Sequence, residues 1–346
     1  MQRQSSDPTM ADVARAAGVG VATVDRVINR RAAVRPETAQ RVLAAAEAVG
    51  FRRAGLIRRR LGEQARPPRL GFVLQSERSA FYRELAAAIR AAVQAMPEPQ
   101  PRPEIVFLDD LMPRRVAQRL LELGQCCDAL ALVAADHPQI SQAVEALSAQ
   151  GLPVFALVSD LSAPTLAGHV GVDNRKVGRT AAWILSRLCR RPGQIGLILG
   201  SHRYLCQEQC EVSFRSYLRE AAPGFQVLES MVSLEDVGLA HAATLELLHC
   251  HPDLVGVYVA GGGVEGVIEA LREVDRPELV TVCHDLTEVT RQALLDGCVT
   301  TVLSHPRDWM ATRLCEEMVA AVRRPARNGA NVHALLPFLH YTAANV

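Results

Sequence analysis

The sequence predicts an α/β chain with a small three-helix, helix-turn-helix head and a larger body of parallel sheets. Three observations carry this. Residues 1–68 hold 13 Arg against 6 Asp or Glu, a net of +7, while the remainder holds 25 Arg or Lys against 31 Asp or Glu, a net of −6. Apolar periodicity is helical over the first sixty residues; from Leu70 onward short apolar runs alternate with amphipathic stretches. With 346 residues, 49% hydrophobic and 22% charged, the chain can fill two to three units of ~100–200 residues and is too apolar to be wholly disordered.

In the head, Thr9 and Asp12 have capping-box spacing, and Met10, Val13 and Ala17 then share one face. Gly18 breaks this helix and Val19 lies in the turn. A second helix runs from about Val21 to Asn29, with Val24, Val27 and Ile28 inward. Pro36 and Glu37 suit the first turn of a third, whose apolar face is Val42, Leu43, Ala46 and Val49. Gly50 stops it and Phe51 folds back over the bundle.

Two short helices joined by a tight turn form a helix-turn-helix, whose second helix enters the major groove N-terminal side chains first. Val21 and Ala22 lead and can meet a thymine methyl. Arg26, one turn on, can reach guanine or phosphate, and Thr23 and Asn29 can donate to phosphate oxygens. A basic head on an acidic body suits a polyanion reader attached to a regulatory unit. A three-helix scaffold with a solvated basic surface is the alternative.

The run TMADVARAAGVGVATVDRVINRRAAVRPETAQRVLAAAEAVGFR resembles the head of the LacI/GalR family of bacterial transcription regulators. The resemblance implies base reading by Val21, Ala22 and Arg26 and phosphate contact by Thr23 and Asn29. The chain departs from the family at Gly20, where a serine cap is usual, at Asp25, close to the DNA backbone, and at Arg35, before Pro36. Family members follow the head with a hinge helix that wedges a leucine into the minor groove. Here residues 52–66 are arginine-rich, Arg53 replaces the common proline, and Arg60 stands at the leucine register. Leu56, Arg60 and Leu61 are therefore the hinge candidates, a basic linker being the alternative.

In the body, LGFVLQ, EIVFLD, ALALVA, PVFALV, VGV, QIGLILG, FQVLESM, LVGVYVAG and ELVTVCHD read as strands, with helices between them. Alternation over about 250 residues indicates parallel sheets. The motifs ALVAADHP, VGVDNRKVGRTAAWIL and CHDLTEVTRQALLDG extend the resemblance to a body like periplasmic sugar-binding proteins. That likeness implies a head and hinge over residues 1–66 and an effector-binding body over 67–346. Lobe one is then about 67–172 plus 305–330 and lobe two about 173–304 plus 331–346, with a ligand in the cleft between them.

Ligands of open α/β sheets sit beyond the carboxyl ends of strands. Residues at those ends are Ser79, Phe81, Tyr82, Asp136, His137, Asp160, Arg203, Gly262 and Asp285. Short carboxylates and hydroxyls around an aromatic ring suit a polyol. Asp173 is expected at the lobe crossing. The resemblance gives Asp285 a ligand-binding role. It also places Cys210 where the family carries a sugar-clamping arginine, and Gly261–Gly263 where it carries an Asn-Asp pair. Arg203 or Gln209 is the candidate replacement for that arginine. An atypical sugar, a polyol or an organic acid all remain open as effector.

No enzyme, cofactor or metal site is expected. GGGVEG has the bare GxGxxG spacing but falls late in the chain for a dinucleotide fingerprint, no GxxxxGK[ST] run occurs, and His249-Cys250-His251 gives no helical metal pair. Nine cysteines without CxxC spacing, no apolar start and no long apolar span point to a reduced cytoplasmic protein outside the membrane. The partners expected are double-stranded operator DNA, a small sugar-like effector and a second copy in a homodimer, the whole acting as a repressor. A solute-binding sensor without DNA binding is the alternative.

Overall fold

A computed structural model describes residues 8–29, 34–55, 57, 66–323 and 332–346. The hinge candidates Leu56, Arg60 and Leu61 lie outside the described residues. The chain divides into two compact units, Met1–Pro67 with Pro97–Pro101, and Pro68–Met96 with Arg102–Val346.

The head holds three helices, α1 (Met10–Ala17), α2 (Val21–Asn29) and α3 (Pro36–Ala48). The capping box forms: Thr9 Oγ1 accepts from the Asp12 N–H at 3.4 Å, and Asp12 Oδ2 accepts from the Thr9 N–H at 2.9 Å. Gly18 ends α1 at φ 64°, a left-handed turn in which glycine avoids the Cβ clash, and its N–H returns to the Ala14 and Arg15 carbonyls. Gly20, without a capping side chain, still accepts the Thr23 and Val24 N–H groups on its carbonyl at 2.9 and 3.3 Å. Val13, Val24, Ile28, Val42, Ala46 and Ile57 are fully buried and form the core of this unit. Each side chain of Val or Ile size contributes ~1.5–3 kcal/mol by leaving water.

The body is built on two sheets. The first has six strands in the order β12-β5-β4-β3-β1-β2, all paired parallel: β1 (Arg69–Gln75), β2 (Arg102–Leu108), β3 (Ala129–Leu132), β4 (Val154–Leu157), β5 (Gly168–Val172) and β12 (Val332–Leu336). The second runs β13-β11-β10-β9-β6-β7 with β8 also on β6: β6 (Gln194–Leu199), β7 (Gln226–Val227), β8 (Met231–Val232), β9 (Gly256–Val259), β10 (Val280–His284), β11 (Thr301–Ser304) and β13 (Leu339–Tyr341). Only the β11–β13 pairing is antiparallel among the described strands. The central strands are buried on both faces, which is why they read as continuous apolar runs.

Helices cover both faces of each sheet. On the first lie α4 (Ala80–Gln94), α5 (Pro113–Gly124) and α6 (Pro138–Ala149). On the second lie α7 (Asn174–Leu188), α8 (Leu205–Ala221), α9 (Val237–Cys250), α10 (Val264–Val274) and α11 (Glu288–Leu295). The chain passes between sheets three times: after Val172, after Ser304 and after Leu336. Helix α12 (Arg307–Arg323), reached from the second sheet, buries Met310, Leu314 and Met318 in the core of the first.

The third passage corrects one boundary. The expectation placed all of 331–346 in lobe two, but Val332–Leu336 pairs with Gly168–Val172 in the first sheet. Only Leu339–Tyr341 joins the second, against Val302–Ser304. A short apolar tail does not show from its own pattern which sheet edge it will complete.

Candidate functional site

The carboxyl ends of the strands surround a cavity of about 90 Å³. From the first-sheet side come Ser79, Phe81, Tyr82, Val133 and Ser159. Ser79 caps α4 without a side-chain hydrogen bond to the helix, so the helix does not consume its hydroxyl. Phe81 stands edge-on to Tyr82 at 5.0 Å and 5.7 Å from the His305 ring.

Two carboxyl groups dominate the opposite wall. Asp285 follows β10 at φ 64°, and its Oδ1 accepts from both the backbone N–H and Nδ1 of His305, each at 2.9 Å. Burial alone would raise its pKa, but His305 outweighs burial and holds this carboxyl below its ordinary range. With Nδ1 turned to Asp285, His305 Nε2 is buried without a hydrogen-bond partner and its ring lines the cavity. His284, one residue before Asp285, is buried and held neutral, its pKa pushed down to about 4 by loss of water, with its Nε2 2.8 Å from the Tyr258 hydroxyl.

Glu235 behaves oppositely. Burial raises its pKa, opposed by hydrogen bonds from Gln207 Nε2 at 2.6 Å and the Gly262 N–H at 3.2 Å. The residue as a whole is half-buried, but its carboxyl is packed against glycine: a Cβ on Gly200 would lie 1.7 Å from Oε1 and one on Gly262 1.9 Å from Oε2. Gln207 Oε1 in turn accepts from the N–H groups of Gly200 and Ser201 at 2.8 and 3.0 Å. The glycine run at 261–263 thus makes room for a buried carboxyl. None of the residues lining the cavity is lysine or arginine.

Three hydrogen bonds cross the mouth between the sheets. Gln75 Nε2 donates to the Tyr204 hydroxyl at 2.8 Å, the Asp136 N–H to the Arg203 carbonyl at 2.7 Å, and the Cys206 N–H to Ser159 Oγ at 3.4 Å. The body is therefore in a closed arrangement.

Of the residues singled out from sequence, Ser79, Phe81, Tyr82, Cys210, Gly262 and Asp285 line this one cavity. The other five do not. Asp136 Oδ1 accepts from the Ser162 N–H and hydroxyl, both at 2.9 Å, and so braces its own loop. His137 caps α6 by accepting the Gln139 N–H on Nδ1. Asp173 caps α7 and sits 3.3 Å from Lys176 Nζ. Arg203 is exposed and contributes its carbonyl to the crossing described above. Asp160 and Asp173 line a separate cavity of about 310 Å³. Sequence reasoning missed Glu235, Gln207, Tyr204 and His305. Glu235 follows the strand FQVLESM, so the strand-end rule applied to the other loops pointed to it.

In the head, Val21, Ala22, Arg26 and Asn29 are exposed on α2 while Val24, Val27 and Ile28 are buried beneath them. Asn29 Nδ2 also donates to Asp25 Oδ1 at 2.6 Å, so that amide has a local partner.

These features define a ligand-sensing α/β body carried with a helix-turn-helix head. Residues 70–323 match the periplasmic binding protein domain and residues 9–54 match the bacterial regulatory proteins of the lacI family. The chain belongs to the LacI/GalR type of regulator, in which such a head is fused to a periplasmic-binding-protein body. It is 29% identical over 326 residues to an uncharacterized HTH-type transcriptional regulator in the aml 5' region of Streptomyces limosus, covering 88% of this chain and 85% of that protein. It is 26% identical over 332 residues to the HTH-type transcriptional regulator GntR of Pseudomonas aeruginosa, covering 92% and 91%. Among solved structures, the body has the fold of a Burkholderia graminis solute-binding protein in complex with D-arabinose, with TM-score 0.74, 16% identity and coverage of 81% and 97%. A second, from Agrobacterium vitis and bound with α-D-tagatopyranose, gives TM-score 0.70, 18% identity and coverage of 80% and 95%. The chain is thus a DNA-binding regulator with a sensor domain of the periplasmic-binding-protein type. No helix among the described residues is long and apolar enough to cross a membrane.

Proposed function

We propose that this chain is a homodimeric repressor whose affinity for a near-palindromic operator is set by a neutral, polyhydroxylated small molecule in the cavity. One observation carries the choice of ligand: carboxyls, hydroxyls and an aromatic ring line the cavity with no lysine or arginine among them. An organic acid or phosphate ester entering there would meet Asp285 and Glu235 without a compensating charge. A sugar instead offers hydroxyls that donate to carboxylates and to the unpartnered Nε2 of His305, and an apolar face for Phe81. D-arabinose and α-D-tagatopyranose in the two solute-binding proteins support a ligand of this class. The exposed Val21, Ala22 and Arg26 read base edges in adjacent half-sites, because twofold symmetry of the protein calls for symmetry in the site. Ligand bound preferentially to one DNA-affinity state shifts the other equilibrium by the same factor.

The test is fluorescence anisotropy of the full chain on the promoter DNA beside its own gene, across sugars, polyols and organic acids. Specific binding that responds to a neutral sugar or polyol is expected. Asp285→Ala removes that response and keeps DNA binding. Arg26→Ala weakens binding by roughly 5–100-fold, about 1–3 kcal/mol, if it reads a base. No preference for any duplex at low salt, or a response to organic acids alone, sinks the proposal.

A further inference from the structure

In the second cavity, Asp160, His169 and His333 turn one ligand atom each toward a common point, all within 4.8 Å of one another. Asp160 Oδ2 lies 3.9 Å from His169 Nδ1 and 3.9 Å from His333 Nδ1. Those gaps are too long for hydrogen bonds, so the three atoms face each other without bonding to each other. The fold builds the convergence. His169 on β5 and His333 on β12 are register partners in the parallel ladder, and their rings sit 6.3 Å apart. Asp160 arrives from the loop after β4, with Oδ1 fixed by the Leu161 N–H at 2.9 Å, which leaves Oδ2 for the histidines.

The outer contacts have the form a metal ligand needs. His169 is buried, and its Nε2 lies 3.3 Å from the Val158 carbonyl. Donation there leaves the Nδ1 lone pair facing the convergence point, the arrangement by which a carbonyl orients a ligating imidazole. The ring has space only because residue 171 is glycine: a Cβ on Gly171 would lie 2.7 Å from His169 Nε2 and 2.9 Å from the Val158 carbonyl oxygen. The cavity of about 310 Å³ has room for a water or a further ligand in an open position. Arg175 is at its rim but exposed, and Asp173 adds a second carboxylate.

We propose that Asp160, His169 and His333 form a binding site for a first-row transition-metal ion, zinc foremost, with a position open to the cavity. Two imidazoles and a carboxylate suit zinc, and bonds of ~2.0–2.1 Å set tetrahedral ligand atoms about 3.4 Å apart. The two Asp160 gaps of 3.9 Å therefore need to close by about 0.5 Å and the gap between the histidines, under 4.8 Å, by at most about 1.4 Å, movements available to side-chain rotation at the exposed His333 and the half-buried Asp160. Bound metal would pin strand β12 at the sheet edge, just before the last passage between sheets. The two histidines are far apart in sequence, and His333 lies in the tail whose pairing was not readable, so spacing gave no hint of the site. This proposal does not depend on what the effector cavity holds.

The experiment uses the full chain, stripped with a chelator and titrated with Co²⁺ as a spectroscopic stand-in, then with Zn²⁺ in competition. Expected are one Co²⁺ per chain with visible d–d bands of low-coordinate nitrogen and oxygen ligation, displacement by Zn²⁺, and a higher Tm with either ion. His333→Ala, at an exposed position that leaves the fold intact by circular dichroism, and Asp160→Asn each weaken Co²⁺ binding by ~10–100-fold or more. The proposal is overturned by undiminished affinity in His333→Ala, by a thiolate-to-cobalt charge-transfer band that assigns the ion to one of the nine free cysteines, or by no binding at micromolar metal.

Discussion

Glu235 is a carboxyl lodged among glycines and held by an amide, and its ionisation is tied to folding. Burial raises its pKa above the ordinary glutamate value of 4.5, so the linked stability is fully present below pH 4.5 and is lost as pH rises through the raised value. As pH climbs above 4.5, ionising this carboxyl costs more in the folded chain than in the unfolded one. Glu235→Gln keeps an acceptor for Gln207 and Gly262 and removes that charge. Its Tm should exceed the parent's by a few degrees at neutral pH, with the gain vanishing below pH 4.5 in thermal melts at each pH. A gain independent of pH would mean the stabilisation has another source. At this scale the sequence was informative where a residue's type and its strand-end place agreed, as for Asp285 and Phe81. It misled for Asp136 and His137, because a polar side chain at a strand end can serve the cleft or cap the next helix. Only the backbone geometry decides between the two.

At the scale of elements, α2 occupies Val21–Asn29, the span its apolar spacing indicates, because three inward residues at helical period leave little freedom in register. The central strands were legible for a related reason: burial on both faces forces unbroken apolar runs. The loop at Gly261–Gly263 reads in sequence as a departure from the family and in structure as a fitted neighbour of Glu235. Gly262→Ala sets a methyl about 1.9 Å from Glu235 Oε2, so the carboxyl must move. A loss of about 1–3 kcal/mol is expected in urea unfolding, with weakened ligand response. Paired with Glu235→Ala, much of that loss should return, and additive losses would show that the two positions do not share the clash. The strands β12 and β13 were illegible in VHALLPFLHY, since two short apolar runs around Pro337 carry no record of which sheets await them.

For the molecule as a whole, the bonds from Gln75 to Tyr204, Asp136 to Arg203 and Cys206 to Ser159 hold the body shut. If closure accompanies ligand binding, weakening a closing bond lowers ligand affinity by making the closed state less populated. Tyr204→Phe removes one such bond, worth ~0.5–1.5 kcal/mol, so calorimetry with the effector should show a roughly 2–10-fold weaker Kd. Unchanged affinity would detach this bond from the binding step. The two-sheet plan itself followed from strand–helix alternation alone, whereas the closed mouth depends on backbone groups that no residue type announces. The crossing near the end has a practical consequence. Residues 332–341 supply one outer strand to each sheet with only Pro337 and Phe338 between them. A stop codon placed just before Val332 would leave Gly168–Val172 and Thr301–Ser304 as raw borders at once, an invitation to self-association, and soluble yield should collapse far beyond what losing fifteen residues of surface tail would cause.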